Sequence, residues 1–325
     1  MQKFFRLFFS GFMMGSADTV PGVSGGTIAF LLGIYEQLIY SIKLLSGEVV
    51  RLVLSLKIKE AWAKVPFGFL VPLGLGMVTA VLVLSNGISY LLKNQPVYVW
   101  AFFFGLVIAS ILVVRKRVVT WNRHDYLAML ATAILAYFIV GAVPVETPAT
   151  LLAFFLAGAV AICAMILPGV SGSFLLVIMG KYEQILTAVT EQNLLVLGTT
   201  MVGSVVGLAL FSRVLSWLFT KHHDIVVAAL TGFMIGSLRK VWPFKEVLTT
   251  RINSHGELVP LLERNVLPVF DSSLLLALVL VGLGFGLIMF LDRFQVTKES
   301  VTDVQDKKFA KEHAKAVKSQ KSGQI

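Results

Sequence analysis

Two short phrases hold the groups best suited to bind an anion. The first is Pro21-Gly22-Val23-Ser24-Gly25 and the second is Pro168-Gly169-Val170-Ser171-Gly172. Each is followed seven residues later by a glycine, Gly33 or Gly180, and then by Tyr-Glu-Gln at 35–37 or 182–184. The spacing is identical in both copies, which marks an internal duplication. Proline and glycine break one helix and open the next. A fresh helix N-terminus presents free N–H groups and about half a positive charge, the chemistry that binds phosphate. Gly22, Gly25, Gly26, Gly169 and Gly172 would let that backbone approach a ligand. Ser24, Thr27, Ser171 and Ser173 would add hydroxyl donors. The plainer use of such a serine is to cap its own helix. One copy does not choose between these uses; two copies placed face to face favour a shared anion site.

Acids and bases at membrane depth cost about 2.5–3.5 kcal/mol at a helix centre, so each needs a reason. Asp18 precedes the first phrase, and its counterpart in the second copy is Met165. That asymmetry suits coupling to H+ or Na+; capping a broken helix end is the alternative. Glu36 and Glu183 would lie near opposite interfaces beside Tyr35 and Tyr182, either as gating or coupling groups or as solvated acids next to aromatic anchors. Arg239 and Lys240 end an apolar stretch, where they hold a phosphate or snorkel to the interface. Lys181 is a weaker phosphate candidate, and Arg213 reads as a snorkelling residue. No catalytic set and no cofactor is expected. The single cysteine, Cys163, makes neither a disulfide nor a thiolate metal site, and the five histidines lack ligand spacing.

These groups need a membrane scaffold to position them. The 325 residues are 57% hydrophobic and 14% charged, with a mean hydropathy of +0.84. Those values specify an all-α polytopic membrane protein. The net charge of +10 does not imply nucleic acid, because the basic residues fall in short loops and in the tail after Leu291. The opening residues resemble a signal peptide, with Lys3 and Arg6 before an apolar run and Gly15-Ser16-Ala17 after it. That run continues into the first phrase and is matched by the lead-in at 150–167, which argues against cleavage.

Residues 4–17 would span roughly 21 Å as helix, too short for a 30 Å core. A re-entrant hairpin over 4–42 follows, with a second helix from Gly22 to Ile42; two ordinary spans with a proline kink are the alternative. Spans at 66–92, 97–114 and 125–143 complete a first repeat, 1–148. The second repeat, 149–293, has a hairpin at 150–187 and spans at 194–219, 224–240 and 273–292. Gly105–Ile111 resembles Gly232–Leu238. Gly203 with Gly207, and Gly282 with Gly286, read as close-packing pairs. Residues 241–271 read as a mixed-charge external loop, and 294–325 as a basic cytoplasmic tail. Three crossings per repeat is an odd number, so the second repeat is inverted. Basic joints at 43–64 and 115–123 then fall inside, the 144–149 joint outside, and both termini inside. The two phrases enter from opposite faces and meet near the midplane, the plan of many secondary transporters.

With these residues in view, the chain resembles a bacterial family assigned as undecaprenyl-phosphate translocases. The resemblance covers roughly 4–292 and is most specific at Ala17–Thr27 and Leu167–Ser173. It implies a flippase of the cytoplasmic (inner) membrane. Such a protein returns undecaprenyl phosphate from the outer to the inner leaflet, recycling the carrier for cell-envelope synthesis. Two rivals share features with it. Undecaprenyl-pyrophosphate phosphatases use a similar phrase with an arginine where this chain has Gly25 and Gly172, and no paired glutamates lie near either hairpin here. A small-anion transporter could use the same helix ends.

Overall fold

A computed structural model describes residues 2–20, 24–142, 145, 147–252, 258–271 and 273–293. Gly22 of the first phrase, Pro144 and Glu146 of the outer joint and the 294–325 tail lie outside the described residues.

The first hairpin begins with α1 (Gln2–Asp18). After the break, α2 (Gly25–Leu31) starts on Ser24, whose side chain accepts from the Gly26 N–H. The helix expected from Gly22 to Ile42 is not continuous. Gly33 takes φ 71°, a left-handed conformation cheap only for glycine, and ends α2 after two turns. α3 (Tyr35–Leu44) then leaves in a new direction and runs through a π-helical turn, Leu45–Val49, into α4 (Val50–Leu54). The bend between Gly25–Leu31 and Tyr35–Leu54 is 116°. The second hairpin repeats this plan with α9 (Leu151–Ile166), α10 (Gly172–Ile178) and α11 (Tyr182–Thr190), turning at Gly180 with φ 64°; α5 (Ile58–Lys64) is a short helix in the basic stretch. The duplicated Gly-x-Tyr-Glu-Gln is thus a second helix break, not a continuation.

Helices form over each of the six apolar runs read as crossings. They are α6 (Phe67–Asn94), α7 (Pro96–Val114), α8 (Arg123–Val140), α12 (Leu194–Lys221), α13 (His223–Val241) and α14 (Ser273–Arg293). Four of them, α6, α7, α12 and α14, are long and apolar enough to cross a membrane. The chain is a helical, multi-pass membrane protein. The 241–271 region differs from expectation: Lys245–Ile252 (β1) and Leu258–Asn265 (β2) pair as an antiparallel ribbon, from Lys245 opposite Asn265 to Ile252 opposite Leu258. Val247, Thr249, Thr250 and Ile252 are β-branched and favour that pleated form.

Glycine sets the helix pairs. A Cβ on Gly11 or Gly158 would strike the carbonyl of Leu73 or Thr200, and one on Gly76 or Gly203 would strike that of Phe8 or Phe155. These contacts occupy equivalent places in the pairs α1/α6 and α9/α12. The remaining helices exchange partners in the same matched way. Gly105 of α7 abuts the carbonyl of Val281 on α14, and Gly232 of α13 abuts that of Met129 on α8. Gly203 and Gly207 do pack closely, against Phe155 and Ala159. Gly282 and Gly286 do not, since nothing lies within 4 Å of their added Cβ; Gly284 meets the Phe102 carbonyl instead. The spacing of small residues names a face, but the crossing point selects which of them is used.

Alanine at Gly76 or Gly203 is expected to cost about 1–3 kcal/mol through overpacking. Alanine at Gly74 or Gly198, with nothing within 4 Å, is expected to leave stability near wild type. Thermal unfolding of the four variants in detergent measures the difference.

Candidate functional site

The two breaks meet. α9 ends on carbonyls that have no partner within their own helix. The Ser24 hydroxyl donates toward the carbonyls of Met165 and Leu167, at 3.3 and 3.4 Å. The Tyr35 hydroxyl donates to the Ile166 carbonyl at 3.2 Å. In return, the Gly169 N–H donates to the Thr27 hydroxyl at 3.0 Å. Ser24, Thr27 and Tyr35 are 2%, 1% and 1% exposed, so water does not compete for these bonds. Gly26 allows the approach, because a Cβ there would collide with the Ile166 carbonyl. The Tyr35 ring is fixed by Phe30 and Phe219, with centroids at 5.1 and 5.8 Å.

The first phrase carries its own anion. The Gly25 N–H donates to Asp18 Oδ1 at 2.6 Å, and the Gly26 N–H donates to Ser24 Oγ at 3.1 Å. A carboxylate at a helix N-terminus is favoured by the aligned peptide dipoles. Asp18, Ser24, Gly25, Gly26 and Thr27 therefore form one cluster, in which Asp18 and Ser24 serve as caps.

The second phrase is more open. Ser171 stands at the N-cap of α10 without a capping bond, and its Oγ lies 3.0 Å from Ser173 Oγ. Ser171 is half-buried and Ser173 is exposed. Gly172 is buried against the Ala161 carbonyl, and Gly169 takes φ 84° against Met234 and Ser237 of α13. The hydroxyl pair is thus presented while the glycines make the packing.

The outlying candidates separate. Arg239 stacks on Tyr137, with its guanidinium carbon 4.4 Å from the ring centroid, and donates to the Tyr137 carbonyl at 2.9 Å. That places it on the last turn of α8. Lys181 is fully buried and donates to the carbonyls of Thr147 and Pro148 and to Gln184 Oε1 at 2.8–3.0 Å. All three of its donors are taken, so it clamps the second hairpin to the outer joint. Arg213 reaches the Ser46 carbonyl at 3.4 Å. Lys240 lies 4.8 Å from the Phe174 ring centroid, next in sequence to Ser173. Glu183 borders a cavity with Ala149, Phe154 and Glu191. Glu36 pairs at 3.4 Å with His223 Nε2, whose Nδ1 lies 3.1 Å from Asp224 Oδ1. Glu36 and Glu183 therefore belong to different joints.

Sequence reasoning missed three participants. Tyr35 reads in the sequence as an interfacial aromatic anchor, but it is buried and its partner is 131 residues away. Arg117 donates to the Leu31 carbonyl at the end of α2, at 3.1 Å. Lys245 is paired through the unexpected ribbon. None of the three partners has a local sequence signal.

A family model described as undecaprenyl phosphate translocase-like matches residues 14–259. A Vibrio cholerae protein named polyprenyl-phosphate transporter is 39% identical over 299 residues, covering 90% of this chain and 97% of the relative. A Staphylococcus aureus protein with the same name is 32% identical over 251 residues, covering 72% of this chain and 84% of the relative. No solved structure matches the chain.

The His223 link gives a pH prediction. The hydrogen bond to Glu36 is the largest influence raising the His223 pKa, and Asp224 adds to it. A raised folded value means that the link is fully present below about pH 6.5, the ordinary histidine pKa, and is lost as pH rises through the raised value. Arg123, His124, Asp125, Lys221 and His222 line the adjoining cavity of about 710 Å3. Hydrogen exchange at residues 35–38 is expected to speed up with pH beyond its intrinsic dependence. In His223→Gln it is expected to follow the intrinsic dependence alone.

Proposed function

The chain belongs to the undecaprenyl phosphate translocase-like family, and on that footing we propose that it transports a polyprenyl phosphate across the bacterial cytoplasmic membrane. The substrate is undecaprenyl phosphate, moved from the outer to the inner leaflet for reuse in envelope synthesis. The observation that carries this reading is the meeting of the two broken helices at Thr27 and Gly169. It concentrates amides and hydroxyls where hydrocarbon would otherwise exclude a charged head. The isoprenoid tail stays in lipid while the head passes the phrases. A phosphatase would need groups that stabilise charge on a transferring phosphoryl, and the curated relatives are named as transporters.

In this reading the repeats are inverted. Asp224, at the start of α13, accepts from the amides of Val119 and Thr120 just past the end of α7, at 3.2 and 3.1 Å. α13 corresponds to α7, so the support is that equivalent helices run in opposite directions. The short helices agree. The far end of α2 is held by Arg117, whereas the far end of α10 is held by Val145 and Thr147. The basic 43–64 and 115–123 segments support a cytoplasmic side for the first of these ends and for both termini. The accessible second phrase then faces outward, where the carrier is collected.

Asp18 supplies the coupling. As a carboxylate it occupies the Gly25 amide, the place an incoming phosphate would take. With a proton or Na+ bound it gives up that amide, so ion and substrate move together. Glu36 and Glu183 act as gates at the two ends.

Liposomes carrying a fluorescent polyprenyl phosphate test the proposal through head-group movement, with phosphate release measured in parallel. The pair Ser171→Ala and Ser173→Ala is expected to slow movement tenfold or more, since each hydrogen bond to a charged group contributes about 1.5–3 kcal/mol. Movement at the wild-type rate would remove the hydroxyl pair from the pathway, and released phosphate would make the protein an enzyme. Asp18→Asn is expected to abolish the response to imposed H+ and Na+ gradients; a retained response assigns coupling elsewhere.

A further inference from the structure

The β1–β2 ribbon brings an arrangement of charge that the transport cycle above does not use. Lys240, at the end of α13, and Lys245, at the start of β1, both reach the same oxygen, Glu263 Oε2 on β2, at 3.4 and 3.3 Å. Their side chains are 22% and 8% exposed, and that of Glu263 is 24%. Lys245 lies 4.2 Å from the centroid of Trp100, and Lys240 lies 4.8 Å from that of Phe174. Two ammonium groups held close in a low-dielectric place by one carboxylate leave one positive charge uncompensated. A single lysine would suffice to pin the ribbon to the bundle. The second adds repulsion, and burial together with Lys240 pushes the Lys245 pKa down to about 8. Phe174 follows Ser173 in the first turn of α10, so Lys240 contacts the same turn that carries the hydroxyl pair of the second phrase.

We propose that Lys240 and Lys245 form the receiving site for the phosphomonoester head of the lipid, with Glu263 as the resident anion that the head displaces. The proposal rests on the transport reading above and deepens it. A phosphomonoester carries a charge of about −1.5 to −2 at neutral pH, which matches two ammoniums where one carboxylate does not. Displacement also exposes the substrate to Ser171 and Ser173 with its charge already paired. Trp100 and Phe174 hold the ammonium groups by cation–π contact in the interval between one anion and the next. Arg239, committed to the Tyr137 carbonyl, takes no part.

The arrangement predicts effects of opposite sign. Glu263→Gln removes the competing anion and is expected to tighten binding of a short-chain isoprenyl phosphate to the protein in nanodiscs by about threefold or more. Lys240→Met with Lys245→Met is expected to weaken it at least tenfold. A merely structural cluster would weaken binding in both cases, through loss of the ribbon. Glu263→Gln therefore decides the matter even if the double lysine variant does not fold. Unchanged or weaker binding in Glu263→Gln overturns the site. Inorganic phosphate is run as a second probe and is expected to bind at least tenfold more weakly than the lipid; equal affinity would overturn the assignment to a lipid head. If wild-type protein moves no polyprenyl phosphate in liposomes, the transport reading itself fails. If it moves the lipid while all variants bind as wild type does, this site alone fails.

Discussion

A helix that stops within hydrocarbon leaves carbonyls or amides with no partner in their own helix. Each such group costs several kcal/mol where no water reaches it. Two breaks near one depth would double that cost. The structure offsets it by setting the breaks against each other. Ser24 and Tyr35 turn to the carbonyls at the end of α9, and Thr27 receives the amide of Gly169. The close helix contacts at Gly76 and Gly203, and at Gly105 and Gly232, hold the bundle tight enough for those bonds to form. A pair of broken helices is thereby a coherent core element rather than two separate defects.

The duplication sets the geometry, but the chemistry of the halves has diverged. Asp18 gives the first phrase an internal anion, and Met165 gives the second none. Thr27 is buried and bonded, whereas its counterpart is Phe174, beneath the ammonium of Lys240. The result is one closed phrase and one open phrase within a matched scaffold. On the proposed transport reading this difference is useful, because a perfectly symmetric pair would bind an anion equally from both sides.

Most basic side chains near the phrases are committed to carbonyl oxygens. Arg117 ends α2, Arg239 ends α8 and Lys181 joins the outer joint to the second hairpin. The negative end of a helix dipole and the unpaired carbonyls there attract cations. Such a cation looks available for phosphate in the sequence but is already occupied in the fold. Lys240 and Lys245 differ because their shared partner is a single carboxylate, an acceptor that another anion can replace.

The twin phrases, the apolar runs and the basic joints were all legible in the sequence, whereas the second break at Gly33 was not, because glycine permits a left-handed turn without requiring one. Each legible feature is a local property: proline removes a donor, and hydropathy sums over neighbours. Those features by themselves determined a multi-pass helical protein with two paired breaks. Only the tertiary structure decided that Gly284 packs while Gly282 and Gly286 do not, and that residues 245–265 form a ribbon. It alone decided that Asp18 fills the Gly25 amide and that Tyr35 serves a carbonyl 131 residues away. A hydrogen-bond partner is fixed by distance and direction in space, and chain separation carries neither.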